Sequence, residues 1–316
     1  MYGLVIENFL LPHTSNIQIE VELFGICDSN IYFNDEHILI YAVDNFIKLG
    51  HTLHNIIINL RGVFDMGFLD NKKIIIMGVA NKSSLAFGCM QAIINQGGQV
   101  ILTYQNDRMK RSLDRFVDDS VLKVECDVSN PENIETAFAN IAQTVGKVDG
   151  IVHAIAYAEK SDLDNKVTDG TLASFSLAQN ISVYSLIAAA KYGREIMNEN
   201  GSIVTLTYMG SERAIPNYNV MGIAKAGLES AVRYLARDLA DKNIRVNAIS
   251  AGAVKTLAVT GVKNHGDLIK MSDERTVDGV GVTIEEVGNT AAFLLSPIAS
   301  GIVGDTIYVD KGTHLI

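Results

Sequence analysis

Lys72-Lys-Ile-Ile-Ile-Met77-Gly78-Val-Ala-Asn-Lys-Ser-Ser84-Leu-Ala-Phe-Gly88 is the stretch that decides the fold of this 316-residue chain. Its apolar run, Lys73–Met77, reads as a short strand buried on both faces. A glycine turn follows, and then a helical pattern from Gly88 to Gln96. Strand, glycine turn and helix make the dinucleotide-binding geometry. Gly78 lets the backbone approach a pyrophosphate, and the helix N-terminus offers free N–H groups. The full G-x-G-x-x-G pattern is absent. Ser84 stands where a middle glycine is expected, and its hydroxyl is a candidate phosphate donor. A tight turn and helix cap without a ligand would use the same residues, so the loop alone does not establish a cofactor.

Outward from this stretch, strands and helices alternate. Strands are expected at Lys73–Met77, Gln99–Tyr104, Val121–Cys126, Gly150–Ala154, Ser202–Thr207, Arg245–Ile249 and Thr306–Val309. Helices are expected at Gly88–Gln96, Asp107–Phe116, Glu132–Thr144, Leu172–Asn198, Tyr218–Ala240 and Ile284–Leu295. Most of the strands are apolar runs without alternation, as in strands covered on both sides. The order predicts an α/β fold, a doubly wound Rossmann-type parallel sheet of about seven strands with helices on both faces. Ligands of such sheets bind at the carboxyl ends of the strands. Gly78, Asp127-Val128, Ala154-Ile-Ala156, Tyr208 and Ala251-Gly252 each follow a strand, so five strand ends converge on one rim.

Tyr208-Met-Gly-Ser-Glu-Arg-Ala-Ile-Pro-Asn-Tyr218-Asn-Val-Met-Gly-Ile-Ala-Lys225 carries the chemistry. Lys225 lies seven residues beyond Tyr218, two helical turns, so both can face one side of a helix. A phenol near a fixed ammonium is expected to be biased toward phenolate and to donate to a developing oxyanion.

Taken together, Gly78-Val-Ala-Asn-x-x-Ser84, Tyr104-Gln-Asn-Asp107, Cys126-Asp-Val128, the Tyr208–Lys225 run and Arg245-Val-Asn-Ala-Ile-Ser-Ala-Gly252 resemble one family. It is the bacterial NADH-dependent enoyl-acyl-carrier-protein reductase of the short-chain dehydrogenase/reductase superfamily. The resemblance covers residues 66–316, and Glu-Arg-Ala-Ile-Pro-Asn-Tyr is its most specific part. It implies reduction of the 2,3-double bond of enoyl-acyl-carrier-protein thioesters in fatty-acid elongation. By correspondence, Tyr208, Tyr218 and Lys225 are catalytic, and Ala158 joins the two tyrosines around the substrate. Gly78, Ser84 and Leu85 line the pyrophosphate turn. Asp127 and Val128 flank the adenine, Ala156 and Lys225 approach the nicotinamide ribose, and Val254 and Thr256 hold the carboxamide side. Gln105 is similar to the NADH-using members, while Arg108, Lys110 and Arg111 leave NADPH open. The resemblance also implies a cytoplasmic homotetramer. A carbonyl reductase of the same fold and a non-catalytic dinucleotide-binding regulator are the alternatives. The usual tyrosine–lysine spacing of four in the superfamily speaks against the first, and a regulator has no need of Tyr218 and Lys225 together. The expected substrate loop departs from the family at Thr276-Val-Asp-Gly-Val-Gly281, which loses a proline and gains glycines.

The net charge of −10 argues against a nucleic-acid partner. No apolar run approaching ~20 residues is expected, so no membrane span is predicted. Cys27, Cys89 and Cys126 are spaced like reduced core thiols rather than a disulfide framework. Residues 1–65 match nothing in the family. They hold eight acidic residues against Lys48 and Arg61, and four histidines without metal-ligand spacing. Ile17–Phe24 alternates like a strand, and Ile38–Leu60 has room for a short helix. The segment is an extension of unknown role, read here as upstream sequence from a misassigned start, with a small added domain as the alternative.

Overall fold

The computed structural model describes residues 4–9, 18–23, 33–34, 37–38, 67–254, 266 and 272–316. The chain divides into two compact units, Met1–Asp65 and Met66–Ile316. In the first, β1 (Leu4–Phe9) pairs antiparallel with β2 (Gln18–Leu23), and β3 (Phe33–Asn34) pairs with β4 (His37–Ile38). The β2 strand falls on the alternating run. The helix expected in Ile38–Leu60 lies outside the described residues, apart from Ile38 itself in β4.

In the second unit, β5 (Lys73–Met77), β6 (Gln99–Tyr104), β7 (Leu122–Glu125), β8 (Val148–His153), β9 (Met197–Thr207), β10 (Arg245–Ala251) and β11 (Thr306–Val309) form one sheet. Its order is β11-β10-β9-β8-β5-β6-β7, and every pairing is parallel. From β5 the chain winds outward through β6 and β7, then returns to β8 on the other side. The topological switch point is therefore the crevice between the ends of β5 and β8.

The apolar run 74–77 of β5 is explained by its two coverings. Ile74 and Ile76 face one core with α1 (Leu85–Asn95) and α8 (Ile284–Leu295), represented by Ile93, Val287 and Ala291. Ile75 and Met77 face the other core, with Phe138 of α3 (Pro131–Val145), Ala189 and Leu228. A capping box at Thr283 and Glu286 starts α8, and Asn130 with Pro131 starts α3.

The expected helix Leu172–Asn198 forms as one helical stretch, Leu172–Ile196, and Met197 and Asn198 instead open β9. It runs through α5 (Leu172–Gln179, after the short α4, Lys160–Asp164), a π-turn at Asn180–Tyr184, and α6 (Ser185–Ile196). Serine hydroxyls accompany the π-turn: Ser185 Oγ donates to Ile181 O at 2.6 Å, and Ser182 Oγ bonds the loop after β8. The expectation about apolar runs also needs correction, because Leu172–Ile196 is long and apolar enough to cross a bilayer by length and composition. Here its Leu186, Ala188, Ala189 and Ala190 pack into the core beside the sheet.

Candidate active site

Gly78 leaves β5 with φ +104°, a region that L side chains rarely adopt, and a Cβ built there would lie 2.2 Å from Ala154 O. The exits of β5 and β8 thus touch backbone to backbone, and only glycine fits. Six residues on, Ser84 caps α1. Its hydroxyl donates to Asn81 O at 2.7 Å and accepts from Phe87 N at 3.2 Å. This hydroxyl therefore caps α1 at the turn expected to meet a phosphate. The donors this turn offers are the N–H groups of Leu85 and Ala86 in the first helical turn, which no earlier carbonyl satisfies. A close-approach glycine at the switch point and a helix N-terminus above it fit a dinucleotide diphosphate.

Toward the sheet edge, Gln105 follows β6 and Asp127 follows β7. Gln105 Nε2 donates to Asp127 Oδ1 at 3.5 Å, and the same oxygen accepts from Ser129 N at 3.0 Å. Val128 is buried beneath them. Among the neighbouring cations, Lys110 is committed to Asp114 at 2.8 Å. On the β8 side, Ala156 is exposed and Ala158 half-buried. The loop between them is held by Ser182, whose hydroxyl accepts from Tyr157 N at 3.0 Å and donates to Tyr157 O at 3.2 Å. Val254 is buried just after β10. Thr256 lies outside the described residues.

The tyrosines meet at the end of β9. Tyr208 follows the strand directly, and Tyr218 immediately precedes α7 (Asn219–Asp238). Their ring centroids are 5.1 Å apart at 72°, an edge-to-face pair. Two asparagines with positive φ, Asn217 at 60° and Asn219 at 35°, seat Tyr218 in its turn. Asn219 Nδ2 fixes that turn by donating to Leu163 O at 2.8 Å and Asn165 O at 2.6 Å. Gly210 makes room for the phenol ring, since a Cβ there would lie 2.6 Å from it.

Lys225, buried on α7, donates from Nζ to Leu206 O at 2.7 Å. It therefore points at the strand end beside Tyr208 rather than at the Tyr218 oxygen. Burial pulls the ammonium down to about 8, opposed by the charge of Glu229. Tyr218 is pushed well above the usual phenol range, first by burial, then by Tyr208 and Glu229. The expected bias toward phenolate is thus not the local balance: Tyr218 is held as a neutral phenol, which can donate but not accept a proton at neutral pH. Tyr208 is raised too, chiefly by burial. Below them, His153 bridges Thr205 Oγ1 at 3.0 Å and Ser185 Oγ at 2.8 Å. Burial and then the Lys225 charge bring this imidazole down to about 3, so it is neutral.

Glu229, Thr207, Ser182 and His153 escaped sequence reasoning. A signal for Glu229 existed: an acidic residue four beyond Lys225, on a helix face otherwise built of Ala224, Leu228 and Val232.

Sheet order, glycine turn and the tyrosine–lysine arrangement together define a dinucleotide-dependent reductase of the short-chain type. A family profile described as enoyl-(acyl carrier protein) reductase matches residues 78–314. The enoyl-[acyl-carrier-protein] reductase [NADH] FabI of Enterococcus faecalis is 60% identical over 248 residues, 78% of this chain and 99% of that protein. The corresponding [NADPH] protein of Staphylococcus aureus is 42% identical, covering 78% of this chain and 98% of its own. Among solved structures, the Bacillus cereus enoyl-acyl carrier protein reductase with NADP+ and indole naphthyridinone is similar. It has a TM-score of 0.77 and 43% identity, covering 79% of this chain and 99% of its own. The chain belongs to the enoyl-acyl-carrier-protein reductase family.

Proposed function

We propose that this enzyme reduces the 2,3-double bond of enoyl-acyl-carrier-protein thioesters in fatty-acid elongation, with NADH as reductant. The observation that carries the reading is the meeting of Tyr208, Tyr218 and buried Lys225 at the end of β9. Their spacing suits a conjugated thioester. Reduction occurs at the β carbon, while negative charge collects on the thioester oxygen, so the oxyanion donor must reach across the conjugated unit. NADH, when bound, supplies the hydride. Gly78, Ser84 and the Leu85 and Ala86 N–H groups would hold its diphosphate, Gln105, Asp127 and Val128 its adenosine end, and Lys225 its nicotinamide ribose. Ala156 and Val254 line the approach to the nicotinamide. Tyr218, kept protonated, donates to the enolate oxygen, and Tyr208 with Ala158 borders the acyl chain. A donor preorganised in a water-poor site is typically worth ~10²–10³ in rate. The test follows NADH absorbance with a 2-enoyl thioester against a 3-ketoacyl thioester. Oxidation with the ketoacyl substrate alone would move the enzyme to the carbonyl reductases.

The NADH preference is supported by the name of the Enterococcus faecalis relative. Exposed apolar side chains on the helical surface, Leu172, Tyr184, Ile187, Ile223 and Tyr234, support a homotetramer, which light scattering at micromolar concentration tests. Buried free Cys89 and Cys126 accord with a cytoplasmic enzyme. The reductase is assigned to residues 66–316, and every proposed site residue lies in that part. A chain beginning at Met66 should retain activity.

A further inference from the structure

Glu229 is a carboxylate sealed inside the protein, 8% exposed, on the same α7 face as Lys225 and one turn further along. Buried carboxylates and ammoniums are costly unless hydrogen-bonded or compensated by opposite charge. Glu229 Oε1 accepts from Thr207 Oγ1 at 2.6 Å, while Lys225 Nζ donates to Leu206 O at 2.7 Å. Leu206, Thr207 and Tyr208 are consecutive. Two opposite charges one turn apart therefore grip two adjacent residues, and the next residue is a site tyrosine. No ion pair joins Lys225 to Glu229 among the described residues, so the carboxylate acts on the ammonium through its field.

We propose that Glu229 is the positioning residue of this site: it holds the Tyr208 end of β9 through Thr207 and keeps the buried Lys225 ammonium charged. The inference rests on the reductase reading above only for Lys225 as a cofactor contact.

The direction of the electrostatic effect follows from the neighbours. His153 from β8 faces Lys225 and is neutral, with burial bringing it down to about 3. Tyr218 at the start of α7 is raised by burial, then by Tyr208 and Glu229. Tyr308 from β11, whose hydroxyl donates to Glu212 Oε1 at 3.0 Å, is raised to about 12 by burial and Glu212 ahead of Glu229. Tyr208, beside Tyr218, is raised as well. All four are neutral near pH 7, which leaves Lys225, at about 8, as the group that titrates just above it. A buried lysine is charged below its pKa and loses its proton as pH rises through it. Without the Glu229 charge, burial acts unopposed, and the proton is lost at lower pH.

The experiment uses the full chain and measures two pH profiles, the dissociation constant for NADH by fluorescence titration and kcat with a 2-enoyl thioester. Glu229→Gln keeps an oxygen for Thr207 but removes the charge. Its alkaline limb should move down by about one pH unit in both profiles, with near-normal NADH affinity at acid pH. An unmoved limb, or an equal loss at every pH, overturns the electrostatic role. Glu229→Asp keeps the charge but withdraws the carboxylate from Thr207. Its limb should stay in place while kcat falls several-fold. Wild-type turnover in that variant overturns the grip on β9. The NADH-affinity profile reads Glu229 even if enoyl reduction is absent from the wild-type protein, so failure of the functional reading and failure of this inference are distinguishable.

Discussion

The two ends of the ligand rim are built by opposite means. At the end of β9 the working groups are buried, and short hydrogen bonds of 2.6 and 2.7 Å fix the backbone on which they stand. At the ends of β6 and β7 Gln105 is exposed and Asp127 half-buried, and the two meet at 3.5 Å. Water explains the difference. An oxyanion donor gains most where solvent is excluded, because there its dipole is unscreened and already oriented. An adenosine end needs only shape and a few polar contacts, each competing with water and each worth little net. Between the two ends, Gly78 and the start of α1 present backbone groups to the rim.

Substitutions along the rim should therefore grade in effect. Tyr218→Phe removes only the hydroxyl aimed at the enolate. Turnover should fall ~10²–10³-fold while the NADH dissociation constant barely changes. Near-normal turnover would place the proton donor elsewhere. Lys225→Ala removes the buried ammonium from both β9 and the ribose. NADH affinity and turnover should fall together, each by roughly 10- to 100-fold, from loss of a charged hydrogen bond. Fluorescence titration reads the affinity, and an unchanged value would deny Lys225 its cofactor contact. Gly78→Ala drives a Cβ into Ala154 O at a strained φ. The strain should cost about 1–3 kcal/mol, visible as a lowered midpoint in thermal unfolding and weaker NADH binding. An unchanged midpoint would mean that the two strand exits separate without cost. Asp127→Asn, at the more open end, should change NADH affinity by only a few-fold. A loss as large as that of Lys225→Ala would abolish the contrast between the two ends.

The order of residues was enough to place Gly78 and Tyr208 at strand ends, because each directly follows a strand whose apolar run is legible. Tyr218 reaches the same rim from the start of α7. Side-chain hydrogen bonds were not legible. Ser84 caps α1 and Lys225 donates to Leu206 O, and residue order signals neither bond. The long apolar pattern from Leu172 predicted the helix but not its π-turn, because periodicity does not register the hydroxyls of Ser182 and Ser185 bonding to backbone groups.

The amino-acid order by itself determined the alternation of strands and helices, the doubly wound sheet and the rim on which the motifs collect. Those depend on local hydrophobic patterning and on the handedness of parallel crossovers, both carried along the chain. Tertiary structure alone decided the protonation of the site. Tyr218 is held neutral, His153 is neutral, and Lys225 is charged but depressed toward about 8, with Glu229 opposing the fall. These states come from burial and from charges brought together across strands and helix turns, and no linear pattern states how far a given side chain ends from water.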